Sequence, residues 1–278
     1  MTGTAVISDR RLARQAAKRR KQRRGQAIAA VSSVIVIGGL AIWILTSPGW
    51  PSVRETFFSW SEFKNSFPEV LEGFWLDVKV FVLVEIGVLI VGLVIALLRT
   101  SAGPALFPIR LLATVYTDLF RGVPTLLLVY LIGFGIPALR LTGLPTEPVV
   151  LGGIALGLSY SAYVAEVYRA GIASVHRGQR DAALAVGLTE AQALRHVILP
   201  QAVRRVAPPL LNDFLALQKD AVLISILGPA EAFRNAQIIQ GENFNYTPLI
   251  AAALLYLVIT VPLARIVDRL GVPTGGVR

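Results

Sequence analysis

Residues 181–200 read DAALAVGLTEAQALRHVILP, and this stretch decides how the rest of the chain is read. Asp181 falls in the first turn of a short helix, where exposed N–H groups and the helix dipole favour a carboxylate. Ala182 and Ala183 give that helix a face with almost no side chain, open to close approach by another surface. Gly187 stops it, because glycine takes the left-handed C-cap conformation at little cost. Thr189 and Gln192 stand at capping-box spacing and start a second helix, which Pro200 ends. The result is a stiff helix–turn–helix knuckle between segments apolar enough to span a bilayer.

Composition points to the membrane independently. Of 278 residues, 54% are hydrophobic and 16% are charged, against about a quarter charged in a soluble globular chain. The absence of cysteine excludes a disulfide framework and any thiolate metal site. The net charge of +10 would suggest nucleic acid in a soluble protein, but its placement argues otherwise. Nine of the 27 Lys and Arg residues lie between Arg10 and Arg24, directly before the apolar run 27–45. As a helix that run would reach roughly 28 Å, near the hydrocarbon thickness of a bilayer. Thr46-Ser47-Pro48-Gly49-Trp50 offers no small-x-small cleavage site, so the run reads as a retained anchor helix rather than a signal peptide. The arm 1–26 before it is expected to be disordered and to rest on anionic lipid, with no nucleic acid bound.

Five more spans are predicted at about 74–98, 115–137, 149–170, 206–227 and 247–267. Six spans with the N-terminus inside put the C-terminus inside, and the positive-inside rule agrees. Predicted inner segments hold Arg99, Arg110, Arg169, Arg177, Arg180, Arg195, Arg204, Arg205, Arg265, Arg269 and Arg278. Outer segments hold only Arg54, Lys64, Arg140 and Arg234, besides Lys79 near a helix end. The knuckle is thereby expected in the cytoplasm.

Polar residues inside spans are costly, on the order of 2.5–3.5 kcal/mol for a charge near a helix centre. Glu85 in the second span, and Asn212, Asp213, Gln218, Lys219 and Asp220 in the fifth, are therefore candidates for a translocation path. Asn212, Asp213, Ala216 and Asp220 share roughly one helical face, which suggests a polar stripe. The alternative is that these groups pair with one another at helix contacts and never meet substrate; Lys219 and Asp220 lean to a structural or coupling role. Arg121-Gly122-Val123-Pro124 predicts a kink in the third span, with Arg121 facing a polar lumen or snorkelling toward headgroups. Glu166 and Arg169 are spaced for a helix-surface pair.

Outside the membrane, 52–72 mixes Phe57, Phe58, Trp60, Phe63 and Phe67 with charges and reads as an interfacial helix. The polar loop 231–246 is a candidate docking surface or a solvated connection. Other chemistries fail. Gly-Lys never occurs, so there is no phosphate-binding loop. His176 and His196, twenty residues apart without acidic partners at ligand spacing, read as solvated loop residues, and no metal site is expected. No G-x-S-x-G elbow surrounds a serine.

The knuckle also carries a family pattern: Glu-Ala-Ala, three residues, Gly, nine residues, Ile-x-Leu-Pro. Here it is Asp181-Ala182-Ala183, Gly187, Val197-Ile198-Leu199-Pro200, with Asp for Glu and Val for Ile. The chain thus resembles the transmembrane subunits of binding-protein-dependent ABC importers. Phe120-Arg121-Gly122-Val123-Pro124, Ser161-Ala162-Tyr163-Val164-Ala165-Glu166, Gly178-Gln179, Leu199-Pro200-Gln201-Ala202 and Lys219-Asp220 look like the polar amino acid branch. That branch usually continues Thr-Ser-Leu where this chain has Ala221-Val222-Leu223.

The resemblance implies an all-α polytopic protein of the type I importer kind. Its parts would be the cytoplasmic arm 1–26, an extra anchor helix 27–45, an extracytoplasmic segment 46–73, a five-helix core 74–270 and a tail 271–278. Within the core lies the coupling loop 171–205. Asp181, Ala182, Ala183, Gly187, Leu199 and Pro200 would seat in a cleft on a separate ATPase. The partners implied are two ATP-binding subunits, a second permease, related or identical, and an extracytoplasmic amino acid-binding protein. The chain itself would hold no cofactor, ATP and Mg belonging to the ATPase, and would perform no covalent chemistry. Its place would be the bacterial plasma membrane, and glutamate or glutamine its slightly preferred substrate. The competing reading is an ion-coupled amino acid carrier or a channel subunit; no internal repeat supports either.

Overall fold

The computed structural model describes residues 3–100 and 104–271, and every regular element among them is helical. Helix α1 (Gly3–Leu45) makes up most of a first unit. It is continuous through the basic run, contrary to the disordered arm expected at 1–26. The reason is local: the run is built of Ala, Arg, Lys and Gln, all good helix formers. Of the expected tail, 272–278 lies outside the described residues.

After the short helix α2 (Trp50–Phe57), the second unit begins, and its axis is α3 (Trp60–Thr100). Of the interfacial aromatics expected at 52–72, Phe57 ends α2, Phe58 lies between the helices and the others are on α3. Trp60, Phe63 and Phe67 stack in succession along the first turns of α3, at 5.6 and 5.2 Å between centroids. Next come α4 (Phe107–Gly122) and α5 (Thr125–Ala138), with axes 103° apart. The predicted kink is thus a full break. Pro124 disfavours helical backbone at the residue before it, and Val123 and Pro124 are both extended.

Helix α6 (Pro148–Ala173) packs along α3 in the centre of the unit. The two approach closely because Gly92 has no side chain: a Cβ there would lie 2.7 Å from Cγ1 of Val164. Hydroxyls join α6 to α4 and α5, Tyr116 to Ser161 at 2.7 Å and Thr125 to Ser159 at 3.0 Å.

Beyond the knuckle runs α9 (Leu199–Asp220), followed by a 3₁₀ segment (Ala221–Leu227), α10 (Ala232–Asn243) and α11 (Thr247–Gly271). Phe214 of α9 meets Phe81 of α3 edge-on at 4.6 Å.

Among the described residues four helical stretches are long and apolar enough to cross a membrane, Lys21–Leu45, Trp50–Thr100, Pro148–Ala173 and Thr247–Val267, or five if the bent α4–α5 pair is one span. The count differs from the expected six at 206–227. There α9 carries five polar residues and gives way to the 3₁₀ segment, so the stretch lacks the apolar length.

The expected loop 231–246 is mostly α10, held against the core instead of solvated. Glu231 is 1% exposed and caps the helix, accepting from the N–H groups of Phe233 (2.8 Å) and Arg234 (2.7 Å). Asp77 of α3 accepts from the N–H of Ala232 and, at 2.8 Å, from the hydroxyl of Tyr256. Gly73 makes the approach possible, since a Cβ there would lie 2.5 Å from the Glu231 carbonyl carbon. Burial, together with the nearby carboxylate of Asp77, pushes Glu231 above its ordinary value of 4.5. The folded state therefore prefers the protonated acid. The stability this group contributes is complete below pH 4.5 and is lost as pH rises through the raised value. The thermal midpoint in detergent is expected to fall between about pH 5 and pH 9, and to fall less in Glu231→Gln. Equal slopes would remove Glu231 as the cause.

Candidate functional site

The knuckle begins earlier than the sequence suggests. Helix α7 spans Arg177–Ala185, and its N-cap is His176, whose Nδ1 accepts from the N–H of Gly178 at 3.1 Å. His176 is therefore a cap, not merely a solvated residue, and Asp181 sits in the second turn, not the first. Gly187 ends the limb as expected. Its φ is +90°, and the N–H groups of Gly187 and Leu188 return to the carbonyls of Leu184 and Ala183. The capping box is present: the N–H of Thr189 donates to Gln192 Oε1 at 2.9 Å, and the N–H of Gln192 to Thr189 Oγ1 at 3.3 Å.

The second limb does not stop at Pro200. Helix α8 (Glu190–Ala193) passes through a π turn (Leu194–Ile198) directly into α9. The wide turn bonds Leu199 N–H to the Leu194 carbonyl, and Pro200 then stands in the first turn of α9. A proline there has no N–H to continue the ladder, and the wide turn just before it makes room for its ring. The knuckle is thus rigidly continuous with α9, a stronger lever than a separate helix would be.

Side chains lock the two limbs. Arg180 forks onto Glu190 at 2.9 and 2.7 Å, Gln201 reaches Gln179 at 3.2 Å, and Arg205 donates to the Ser174 carbonyl. Of the expected coupling residues, Asp181, Ala182, Gly187, Leu199 and Pro200 are exposed, while Ala183 is buried against the second limb. The sequence reading missed Val186, 80% exposed at the tip. An apolar side chain held out on a stiff turn is suited to a partner's pocket.

Where α6 leaves the core, Gly171 lies against α9 so closely that a Cβ would overlap Cγ1 of Val206. Gly171→Val is expected to destabilise the unit by about 1–3 kcal/mol, as overpacking does. The check is the thermal midpoint in detergent, with Gly171→Ala falling between the two.

The expected polar stripe on α9 is divided among neighbours. Gln218 is buried and accepts from the hydroxyl of Thr260 at 2.7 Å, and Asp220 accepts from Tyr160 at 2.8 Å. These two act structurally. Lys219 is exposed beside an apolar cavity of about 350 Å³ bordered by Val222, Phe233 and Tyr256. Asn212 is exposed, whereas Asp213 turns inward. Its Oδ2 is buried and accepts no hydrogen bond from any described residue. Asp213 lies within electrostatic reach of Arg121 and of the buried Glu85.

Arg121 sits over the ring of Tyr163, at 5.7 Å from its centroid, with Nη1 4.0 Å from Glu166 Oε2. Glu166 makes the expected pair with Arg169 and also takes Arg99 of α3 at 2.8 Å. Asp213 is thus linked electrostatically to Glu85 and to Arg121, while Asn212, Gln218, Lys219 and Asp220 have other surroundings.

Residues 101–271 match the family described as binding-protein-dependent transport system inner membrane component. The chain is 33% identical over 195 residues to the arginine transport system permease protein ArtQ of Bacillus subtilis, covering 70% of this chain and 87% of that one. It is 34% identical over 214 residues to the glutamine transport system permease protein GlnP of Escherichia coli K12, covering 77% and 96%. Among solved structures, an amino acid ABC transporter described with histidines superposes with a TM-score of 0.66 at 35% identity, over 73% of this chain and 92% of that one. The methionine transporter MetNI shares the fold at a TM-score of 0.56 and 17% identity, over 72% and 93%. The membrane-embedded helices, the knuckle joined rigidly to α9 and these matches lead to one conclusion: the chain belongs to the inner membrane components of binding-protein-dependent transport systems.

Proposed function

We propose that this chain forms the translocation path of an ATP-driven importer for a polar amino acid, of glutamine or arginine type. The observation that carries the coupling half is the knuckle: an exposed turn at Val186–Gly187, cross-braced by Arg180 and Glu190, and continuous with α9. A push on α7 would pass through the braced turn at Val186–Gly187 to the second limb, which runs unbroken into α9 and its side chain Asp213. The substrate class is supported by the names of the relatives, glutamine and arginine permeases among them.

In this reading two ATP-binding subunits take the knuckles of two permeases, this chain and an identical or related one. ATP and Mg are bound there, and this chain holds no cofactor and catalyses no reaction. A loaded amino acid-binding protein docks at the opposite end, where α10 lies. This reading takes α9 with the 3₁₀ segment as a further, more polar crossing, which puts both termini in the cytoplasm. Closure of the ATPases would swing α9 between inward- and outward-facing arrangements, with Glu85, Arg121 and Asp213 meeting the substrate's charged groups in passing.

The test is a pull-down of the tagged chain from its native membrane in mild detergent. Wild type should retain an ATPase subunit, and substitutions at Asp181 or Gly187 should release it. A chain that comes out alone even after crosslinking would overturn the assignment.

A further inference from the structure

At the end of the bundle that carries the knuckle, three arginines from three helices surround one pocket. Arg99 stands in the last turn of α3, Arg110 in the first turns of α4 and Arg169 near the end of α6. With Phe107, Leu111 and Thr114 they line an open depression of about 320 Å³.

The charge there is positive by construction. Glu166 accepts from both Arg99 (2.8 Å) and Arg169 (3.0 Å to Nε), so one carboxylate faces two guanidiniums. Arg121 approaches the same carboxylate at 4.0 Å. The guanidinium of Arg110 lies 5.7 Å from the centre of the Phe107 ring, which holds it at the pocket wall. The first turn of α4 opens here too, and its N-cap residue Leu106 supplies no side-chain acceptor. The positive end of the helix dipole adds to the field.

The pocket's border is apolar. Phe107 and Leu111, which line it, both have exposed side chains, at 54% and 50%. A soluble anion has no use for such a border, whereas a lipid has use for both parts.

We propose that this pocket is a binding site for the headgroup of an anionic phospholipid. The phosphodiester lies among the guanidiniums of Arg99, Arg110 and Arg169, and the acyl chains run along the exposed face of α4. Guanidinium forks match phosphate oxygens in pairs, and basic pockets between membrane helices suit such headgroups. The occupant would bridge the end of α3 to the start of α4 and the end of α6, and so brace the helix from which the knuckle hangs. This rests on the chain being membrane-embedded and not on its coupling role, so the two fail separately.

The test titrates the complex, purified in mild detergent, with phosphatidylglycerol and with phosphatidylcholine while following its thermal midpoint. Phosphatidylglycerol is expected to raise the midpoint and phosphatidylcholine to leave it. Arg110→Gln, which spares the Glu166 cluster, should shift the phosphatidylglycerol titration about five-fold to higher concentration. Arg110→Lys should shift it less. Glycerol phosphate at matched concentration should have no effect; an effect equal to the lipid's would make this a free-anion site and overturn the proposal. Release of the ATPase by Arg110→Gln with an unchanged lipid titration would make it a protein contact, with the same consequence. Wild type responding alike to both lipids overturns it whatever the variants do.

Discussion

Gly187→Asp is expected to leave the chain inserted in the membrane and to abolish ATP-driven uptake. Gly187 sits at φ +90°, where an L side chain costs about 1–2 kcal/mol. Nothing lies within 4 Å of a Cβ built there, so the cost is one of backbone conformation, not of collision. The chain relieves it by turning the residue out of the left-handed region. That breaks the return bonds to Leu184 and Ala183 and re-aims α7 against α8. The Arg180–Glu190 pair is too exposed to hold the old geometry against that pull. Val186 then leaves the position from which, in the proposed function, it would meet the ATPase. The packing of α3 on α6 lies elsewhere and is untouched, so abundance in the membrane fraction should match wild type while uptake drops to background. Gly187→Asn is the control, since asparagine is the residue that stands in for glycine at a left-handed C-cap and should keep part of the activity. Normal uptake by the aspartate variant would detach the knuckle from transport.

What the sequence made legible is the part governed by near neighbours. The Gly187 stop, the Thr189–Gln192 box and the break at Val123–Pro124 each depend on a few adjacent residues, and each stands where it was read. The misreadings share a physical cause. His176 as a cap depends on where α7 begins, and a histidine is a rare N-cap. Pro200 reads as a terminator unless a π turn shifts the bonding just before it, and nothing in 194–198 announces one. The basic arm reads as disordered from its charge, although its residues favour a helix. Contacts distant in sequence were out of reach: Arg99 on Glu166 across 67 residues, and Asp77 with Ala232 across 155. The division of the α9 stripe belongs to the same class. Adjacent residues on a helix differ by about 100°, enough to send Asn212 outward and Asp213 inward, and only the neighbouring helices decide which.

Asp213→Asn is expected to lower uptake by about 10- to 100-fold while the ATPase still copurifies. That range is what a hydrogen bond to a charged group is worth, about 1.5–3 kcal/mol. The argument starts from the unmet Oδ2. A buried carboxylate oxygen without a partner is costly, and helix α9 retains one at the place where Arg121 and Glu85 come within electrostatic reach. Gln218 and Asp220, a few residues along the same helix, have both found hydroxyl partners. A purely structural acid would have been expected to do likewise. Asparagine keeps the shape and one acceptor oxygen but cannot carry the charge that an ammonium group on the substrate would meet. If Asp213 only braces the helices, the variant should lose thermal stability and transport in proportion. If it serves the path, transport falls while the thermal midpoint stays, because Asn fills the same volume. Uptake near wild type in an intact complex would take Asp213 out of the path. The same comparison for Glu85→Gln then shows whether the two acids act as one unit: a double variant no worse than the poorer single one means a shared step.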